Sequence, residues 1–469
     1  MHAPRPNASF IAPLAALLAA AAFSSTAVAQ TCTPFWDGTI GTPGVTTSTY
    51  VGSLWKYNNK LIASGSFTEM ASVANTAYIA QYDLTANTWS SVGGGLGSGI
   101  SNAFGTSFST FGNDLIVGGF FANAAGVADT KSIARWDGTA YHSLRTGWAF
   151  DSVNAVWSLL TTDAIGGQNR VYIGGGFDTI AGMPAGCIAS WDGTTLRPLA
   201  SSMTLVGINP IVPALATFDD GQGGGTQLYI GGRFSAVDGV PANMIARWNG
   251  TTWSAVGTTL VPRNAAAEID TMLVFDDGTG PALYVGGTNL RVNGEVINRA
   301  TAKWNGTTWS AVGQALTGRT WSLAAFDDGA GTKLYAAGTQ AGVGFIYRLE
   351  GGTWVPVDGG ASAQAFRLFV DGNTMYVGGS FTSVGGQAAN RIVARRGCAP
   401  VTRCLADVAG AGPSGTTPDG IVDGSDFVAF INSFSAGDVA VDPIADVVRD
   451  SIIDGDDFIA FINAFGAGC

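Results

Sequence analysis

The sequence predicts an all-β fold in which seven similar four-stranded sheets follow one another along the chain, with a small helical module after them. Three observations support this. Glycine accounts for 67 of the 469 residues and charged residues for only 12%, a composition that suits short strands joined by tight turns. A strand-like run ending in paired small residues, usually glycines, recurs seven times. An aspartate-rich pattern near the C-terminus occurs twice.

The first 29 residues have the pattern of a secretory signal peptide. Arg5 supplies a positive start, an apolar run extends from Phe10 to Phe23, and Ala27-Val28-Ala29 precedes the expected cleavage site before Gln30. The apolar run is too short to span a membrane, and no later stretch is long enough. We therefore expect a secreted or cell-surface protein that does not span the membrane. In that oxidising setting paired cysteines persist.

The repeat is marked by the last residue of each paired-glycine run. These markers are Gly65, Gly119, Gly175, Gly232, Gly287, Gly338 and Gly379. Each repeat holds four strand patterns, such as LATFDDG, LYIGG, IARWNG and TTWSAVG. One such sheet cannot bury both of its faces, so we expect the sheets to stack around an axis. The sequence thus predicts a seven-bladed β-propeller over residues 30–400, with tryptophans packed between sheets.

The N-terminal segment predicts how the ring closes. The last repeat ends with RIVARRGCAP, which matches a third strand, and TCTPFWDG at 31–38 matches the missing fourth strand. We therefore expect the first strand of the chain to complete the last sheet. Aligning both halves with an intact repeat puts Cys32 and Cys398 at one hairpin turn, close enough for a disulfide.

A separate acidic module is predicted over residues 401–469. Residues 404–469 hold eleven aspartates and one arginine, whereas the propeller region is nearly neutral and offers no basic field for nucleic acid. The patterns PDGIVDGSDFVAFINSF and DSIIDGDDFIAFINAF each place aspartates before a short amphipathic helix. Closely spaced carboxylates are oxygen ligands that suit calcium. Cys404 and Cys469 bracket the module and are expected to pair.

Both regions resemble known families. The repeats are similar to the kelch-like Gly-Gly/Trp repeats of secreted bacterial β-propellers. Residues 404–469 resemble a type I dockerin, in the variant whose chain ends Gly468-Cys469. This resemblance implies two calcium loops and a cohesin-like or cell-surface protein partner. The implied ligands are Asp407, Asp419, Asp423 and Asp426 in the first loop, and Asp446, Asp450, Asp454 and Asp457 in the second. Val448 departs from the pattern at a ligand position, and an insertion separates Asp407 from its loop.

Candidate catalytic residues are few. His142 is the one histidine after the signal peptide, which argues against a Ser-His-Asp site. Glu268 and Asp270 lie two residues apart at the start of a first strand, where the central channel is expected. They are weak candidates for acid–base chemistry or cation binding, and solvated surface charge is the alternative. Basic residues recur before the third-strand aromatic position: Arg135, Arg247, Lys303, Arg348 and Arg395. Such a ring would grip an anionic polysaccharide, but pairing with the FDDG aspartates, or simple solvation on an outer strand face, is the favoured interpretation.

Two functions fit these patterns. The first is a non-catalytic binding or display propeller, with a polysaccharide or protein ligand, attached through its calcium-binding module. The second is a dockerin-bearing glycoside hydrolase or lyase with its site in the central channel. A convergent acid pair in a pocket separates the two, and only Glu268 and Asp270 are candidates for it. Cys187 is expected to be a buried apolar thiol.

Overall fold

The computed structural model describes residues 34–45, 49–97, 104–145, 155–205, 208–295, 299–314 and 316–397, with the helical positions 427–431, 434, 458 and 461. The chain is nearly all β. It divides into two compact units, one of Pro34–Cys398 and one of Met1–Thr33 with Ala399–Cys469. No helix in the described part of the chain has the length and apolar character to cross a bilayer. The predicted signal peptide, residues 1–29, lies outside the described residues.

Repeats one to six each form four antiparallel strands, and repeat seven supplies three. The strands of repeats one to three are Val51–Tyr57, Lys60–Gly65, Ile79–Asp83 and Thr88–Ser91; Phe104–Phe111, Asp114–Phe120, Ile133–Trp136 and Tyr141–His142; and Val156–Thr162, Arg170–Gly175, Ile188–Trp191 and Leu196–Pro198. Those of repeats four to six are Ile211–Phe218, Gln227–Arg233, Ile245–Trp248 and Trp253–Ala255; Glu268–Asp276, Pro281–Val292, Arg299–Trp304 and Trp309–Ala311; and Arg319–Asp327, Thr332–Gln340, Val343–Glu350 and Thr353–Pro356. Repeat seven supplies Ala365–Asp371, Thr374–Gly379 and Ile392–Arg396.

The shorter elements lie in the connections. They are the strands Leu96–Gly97, Asn123–Ala124, Thr179–Ile180, Met183–Pro184, Met203–Thr204, Ala236–Val237, Val240–Pro241, Leu260–Pro262, Ser383–Val384 and Gln387–Ala388, and the 3-10 helix Thr39–Gly41. Several pair with one another as small hairpins, as Thr179–Ile180 does with Met183–Pro184. Leu260–Pro262 pairs with the second strand of repeat five, Pro281–Val292, and the other short strands lie outside the main ladders.

The sheets follow one another in a closed circuit. The first strand of each repeat contacts the first strand of the next, and the first strand of repeat seven contacts that of repeat one. Five repeats form separate sheets, while repeats five and six are joined by the pairing of Thr288 with Arg319. This is the arrangement of a β-propeller, with the first strands around the central axis.

The N-terminal strand completes the last sheet, as the sequence predicted. Phe35–Asp37 pairs antiparallel with Ile392–Arg396, and Trp36 lies opposite Arg395. Asp37 accepts hydrogen bonds from the Arg396 guanidinium. Because the first and the last main strand of the propeller share one sheet, the circuit closes without a free edge at this position.

Tryptophans link neighbouring sheets, which confirms their predicted role. The indole Nε1 of Trp309 in repeat five donates a hydrogen bond to the carbonyl oxygen of Val256, 2.8 Å away, just after the fourth strand of repeat four. Trp253 makes the equivalent bond to Leu199, at 3.0 Å. Each of these rings therefore fills the space between two sheets and satisfies a carbonyl group of the neighbouring repeat.

Phenylalanines pack together in the described part of the C-terminal segment. Residues 427–431 are helical. Phe430 and Phe461 are buried, and their rings stack with centroids 3.9 Å apart. Phe430 also packs against Phe434 and Phe458. The predicted apolar faces of the two helical patterns thus contact each other at these positions.

The proposed calcium ligands and disulfide cysteines all fall outside the described residues. They are Asp407, Asp419, Asp423, Asp426, Asp446, Asp450, Asp454 and Asp457, and Cys32, Cys398, Cys404 and Cys469. Their assignments stay predictions.

Candidate functional site

An irregularity at the start of every first strand shapes the site. The pairing between first and second strands shifts register there in all seven repeats. Such bulges re-aim the side chain of the extra residue. The residues at the irregularity include Gly52, Thr106, Trp157, Pro213, Asp270, Trp321 and Phe366. In repeat three and in the consecutive repeats five, six and seven these are large or charged side chains, so the ring is chemically asymmetric at this end.

The asymmetric side combines aromatic rings with an ion cluster. We call it the channel mouth, formed by Tyr50, Glu268, Asp270, Arg319, Trp321 and Phe366. Phe366 contacts Tyr50 edge-on, with ring centroids 5.2 Å apart, and Trp321 at 5.6 Å. The three rings belong to consecutive repeats and are half-buried. They form a continuous aromatic surface across three strand starts.

Arg319 joins that surface to the acid pair. Its guanidinium carbon lies 3.8 Å from the centre of the Trp321 ring, a cation–π contact. Its Nε donates to Asp270 Oδ2 at 2.8 Å, and its Nη2 donates to Glu268 Oε1 at 3.0 Å and also contacts Asp270 Oδ1. Arg233 of repeat four lies 3.5 Å from the other oxygen of Glu268. The two acids predicted from the sequence are thus brought together and held by arginines of neighbouring repeats.

The pKa directions follow from this crowding. Burial raises the pKa of Asp270 well above its ordinary value; the Arg319 charge lowers it, and the nearby Glu268 charge raises it again. Burial alone would lower the pKa of Arg319, but the two carboxylates outweigh burial and raise that pKa. The guanidinium therefore stays charged, and both carboxyl groups are committed to it.

Arg367 adds an unpaired charge beside the mouth. The six other repeats have small residues at its position: Ser53, Ser107, Ser158, Ala214, Thr271 and Ser322. Burial lowers the pKa of Arg367, and no carboxylate of the described residues forms an ion pair with it. A guanidinium held in a narrow space without a counter-charge favours an anionic group from a ligand.

The recurring basic residues pair with aspartates, which confirms the favoured interpretation. The pairs are Arg135 with Asp114, Arg247 with Asp220, Lys303 with Asp277, Arg348 with Asp328, and Arg395 with Asp358. Three of these aspartates, Asp220, Asp277 and Asp328, lie in FDDG loops. Because each basic group is already matched by a carboxylate, the ring does not present free cations to an anionic polymer.

The remaining candidates take ordinary structural roles. His142 lies on the fourth strand of repeat two, and its Nε2 is 2.7 Å from Asp137 Oδ2. Cys187 is buried, and burial raises the pKa of its thiol to about 12. It is therefore an unreactive core residue, as its sequence position predicted.

Sequence reasoning missed the partners of the acid pair. Arg319 and Trp321 stand at the positions of Glu268 and Asp270 in the next repeat, which was visible in the alignment. Their contact across repeats depends on the bulges and on the closeness of neighbouring first strands. Aromatic residues at a position where other repeats have Gly52 or Thr106 were the available signal.

No protein-family model matches this chain, and no curated protein matches it. Several solved structures are similar to this chain at low identity. The β-propeller domain of the Trilobed protease from Pyrococcus furiosus is 11% identical, with a TM-score of 0.39, over 74% of this chain and 93% of that one. Virginiamycin B lyase from Staphylococcus aureus, solved as an inactive variant with quinupristin, is 13% identical, with a TM-score of 0.42, over 76% and 97%.

A third similar structure is the extracellular domain of a putative hybrid two component system from B. thetaiotaomicron. It is 12% identical, with a TM-score of 0.49, and the match covers 81% of this chain and 42% of that one. At this similarity the propeller architecture of the present chain rests on its own strand pairing and closed circuit.

Proposed function

We propose that this protein is a secreted, non-catalytic seven-bladed β-propeller that binds polysaccharide at the channel mouth. One observation carries the proposal: Glu268 and Asp270 are both bound by Arg319, beside a half-buried aromatic surface. The binding of both acids by Arg319 argues against acid–base catalysis, and the aromatic surface provides area for ligand binding. The seven four-stranded sets and their closed circuit support the blade count.

The aromatic surface suits sugar rings. A pyranose presents a face of C–H groups that packs against aromatic faces, while its hydroxyls need polar partners at the rim. Tyr50, Phe366 and Trp321 supply apolar area, and Arg319 and the carboxylates supply hydrogen-bonding groups next to it. Apolar walls with a few placed polar groups are the usual make-up of a ligand site. Arg367 extends the expected range of ligands to acidic polysaccharides.

The arrangement of the acids disfavours hydrolysis. Glycoside hydrolases place two carboxyl groups on either side of the scissile bond, about 5 to 9.5 Å apart, so that sugar or water fits between them. Here one guanidinium nitrogen, Nη2 of Arg319, contacts both Glu268 and Asp270. The space between the carboxyl groups is occupied by the arginine, so neither acid is free to approach a glycosidic oxygen.

The attachment part of the proposal concerns residues 401–469. We propose a dockerin-like module that binds calcium through its loop aspartates and attaches the propeller to a cohesin-like or cell-surface protein. Carboxylate oxygens are the donors that calcium prefers. The packing of Phe430 on Phe461 supports two helices that meet through apolar faces. Secretion is supported by the signal pattern at residues 1–29.

A single screen tests the propeller function against its rival. Mature protein would be incubated with neutral and acidic polysaccharides, and both retention on the polymer and release of reducing ends would be measured. We expect retention by at least one polysaccharide and no released ends. Released ends that disappear in a Glu268→Gln variant would instead establish a hydrolase or lyase. A failure to retain any polymer would remove the polysaccharide assignment.

A further inference from the structure

A cavity of about 620 Å³ lies between repeats five and six, away from the channel mouth. Its walls come from the loop after the first strand of repeat five and the third-to-fourth strand turn of repeat six. The residues that matter for its chemistry are Asp276, Asp277, Lys303, Lys333, Val312 and Leu349. Its volume lies in the range of small-molecule sites.

In two other turns of the ring, neighbouring repeats meet closely at the corresponding place. A Cβ at Gly306, in the turn of repeat five, would collide with the carbonyl oxygen of Asp220 in repeat four. A Cβ at Gly397 would lie 2.7 Å from the carbonyl oxygen of Asp327 in repeat six. By contrast, a Cβ at Gly351 or Gly352, in the turn of repeat six, would have no atom within 4 Å. The turn of repeat six therefore stands away from the loop that it would otherwise cover.

Sequence differences in repeat six explain this opening. Repeat five ends its third strand with Trp304, and Asn305 then caps the turn by accepting hydrogen bonds from the N–H groups of Thr307 and Thr308. Repeat six has Leu349 opposite Trp354, so an indole is replaced by a smaller side chain. Glu350 stands at the capping position and contacts Arg348 instead, at 2.5 Å. The turn of repeat six therefore lacks both the indole and the hydrogen-bonding cap that the turn of repeat five has.

The opening uncovers an aspartate whose counterparts in repeats four and six are buried. Repeats four, five and six each have an aspartate that contacts a tyrosine and a basic residue. In repeat four this aspartate is Asp220, with a side chain 1% exposed, and in repeat six it is Asp328, with a side chain 2% exposed. Asp277, its counterpart in repeat five, is 31% exposed. It accepts hydrogen bonds from Tyr284 at 2.7 Å and Lys303 at 2.8 Å. The aspartate of this hydrogen-bonding group is therefore far more exposed beside the cavity than in repeats four and six.

The charges of the cavity balance. Two aspartates, Asp276 and Asp277, and two lysines, Lys303 and Lys333, line it. Lys333 forms no ion pair with a described carboxylate, and Oδ1 of Asp276 caps the loop by accepting the N–H groups of Gly278 and Gly280. Donors and acceptors thus coexist beside the apolar side chains of Val312 and Leu349. A net-neutral lining gives an ionic ligand no advantage, whereas a ligand with many hydroxyls can use both kinds of group.

We propose that this cavity, which we call the repeat 5–6 pocket, binds a neutral saccharide of about two sugar units. Hydroxyls would donate to the aspartates and accept from Lys333, while a pyranose face packs on Leu349 and Val312. The pocket is distinct from the channel mouth. Glu268 begins the first strand of repeat five and Asp276 ends it, so the two sites lie roughly 25 Å apart along one strand.

Titration calorimetry of the mature protein with maltose, cellobiose and lactose tests the pocket. Leu349→Trp restores the bulky residue found at this position in repeat five and fills the cavity. Lys333→Gln replaces the charged ammonium and its three donors with a shorter, neutral amide, and Lys60→Gln, at the same strand position in repeat one, is the matched control. We expect saturable binding of at least one disaccharide, about tenfold or more weaker in Lys333→Gln. Binding should be lost in Leu349→Trp and unchanged in Lys60→Gln.

Two further measurements keep the outcomes distinct. Thermal unfolding shows whether each variant is folded, and if Leu349→Trp is not, Lys333→Gln and Lys60→Gln decide the result. Trp321→Ala, at the channel mouth, should leave disaccharide binding intact even if polysaccharide binding is lost. Absence of binding by all three sugars, equal binding by Leu349→Trp, or preference for glucuronate over neutral sugars would each overturn the proposal.

Discussion

Asp37 and Arg396 form an ion pair across 359 residues of sequence, with Asp37 Oδ2 3.0 Å from Arg396 Nη2. Asp37 lies on the first strand of the chain and Arg396 on the last strand of the propeller. Burial would raise the pKa of Asp37, but hydrogen bonds from Thr39 and Arg396 outweigh it and lower that pKa. The pair sits beside Trp36, whose ring lies 5.2 Å from the Arg395 guanidinium. The first strand of the chain and the last strand of the propeller are therefore held together by an ion pair and by side-chain packing.

Replacing Trp36 with alanine should destabilise the propeller as a whole. Trp36 is 6% exposed and belongs to the core between repeats six and seven. Loss of a buried tryptophan costs about 3 kcal/mol or more, and here it also loosens the closing strand. Chemical denaturation measures the change. Phe35→Ala, at a neighbouring residue that is 58% exposed, is the control and should change stability little.

A disulfide between Cys32 and Cys398 should reinforce this closure. The paired strands begin three residues after Cys32 and end two residues before Cys398. Non-reducing peptide mapping by mass spectrometry should find these two cysteines linked, and Cys404 linked to Cys469. The folded protein should show no reactive thiol at pH 8, because burial raises the pKa of Cys187 to about 12. Denaturation without reductant should expose that thiol alone; additional thiols would contradict the pairing.

Arg319→Gln should destabilise the protein most at neutral pH. The substitution leaves Glu268 and Asp270 without their shared counter-charge. Breaking such a pair costs 3–5 kcal/mol when fully buried, and the partial exposure of Arg319 reduces this to roughly 2 kcal/mol. Without the guanidinium the pKa of Asp270 rises further, so protonation of this carboxyl group relieves the variant as pH falls. The stability gap from wild type should narrow between pH 7 and pH 5. A gap that widens toward pH 5 would contradict this account of the cluster.

Trp321→Ala should weaken polysaccharide binding at the channel mouth by about tenfold or more, as expected for a central aromatic contact. Trp321 is half-buried and contacts both Phe366 and Arg319. Affinity electrophoresis in gels containing the polymer identified by the screen measures the effect. Trp321→Phe keeps an aromatic surface and should retain much of the binding. Equal retention of the alanine variant and wild type would place the binding surface elsewhere.

Calcium should bind the full chain and stabilise its C-terminal part. The predicted ligands are aspartates at residues 407–457, whose carboxylates are ionised at neutral pH. Titration calorimetry should detect calcium binding to the mature protein, reversed by a chelator, and none to a chain that ends at residue 400. Equal calcium binding by the two chains would assign the metal to the propeller instead.

The sheet architecture was predictable from the sequence because the same strand patterns recur in each repeat. Gly65 and its six counterparts all lie on second strands, and the match of TCTPFWDG at 31–38 with a fourth strand located the strand that repeat seven lacks. Such signals are local, since a glycine pair or a strand pattern acts within a few residues. Leu349 and Glu350 depart from Trp304 and Asn305 of repeat five, but the cavity that results depends on the neighbouring loop of repeat five and is not encoded within one repeat.

The chemistry of the channel mouth was only half predictable. Glu268 and Asp270 were found because they differ from the residues of other repeats. Their partner Arg319 is 49 residues beyond Asp270, and it reaches the acids because first strands of adjacent repeats pack side by side. No spacing rule within one repeat encodes that contact. The bulges, which aim Asp270 and Trp321, depend on backbone register and were also invisible in the sequence.

The closed ring is the claim on which both binding sites depend, and hydrogen–deuterium exchange tests it most directly. Backbone amides in paired strands exchange slowly. We predict slow exchange at residues 35–37 and 392–396 in the full chain, and faster exchange at 392–396 when residues 30–37 are deleted. Rapid exchange at 35–37 in the full chain, or unchanged protection of 392–396 after the deletion, would contradict closure by the N-terminal strand.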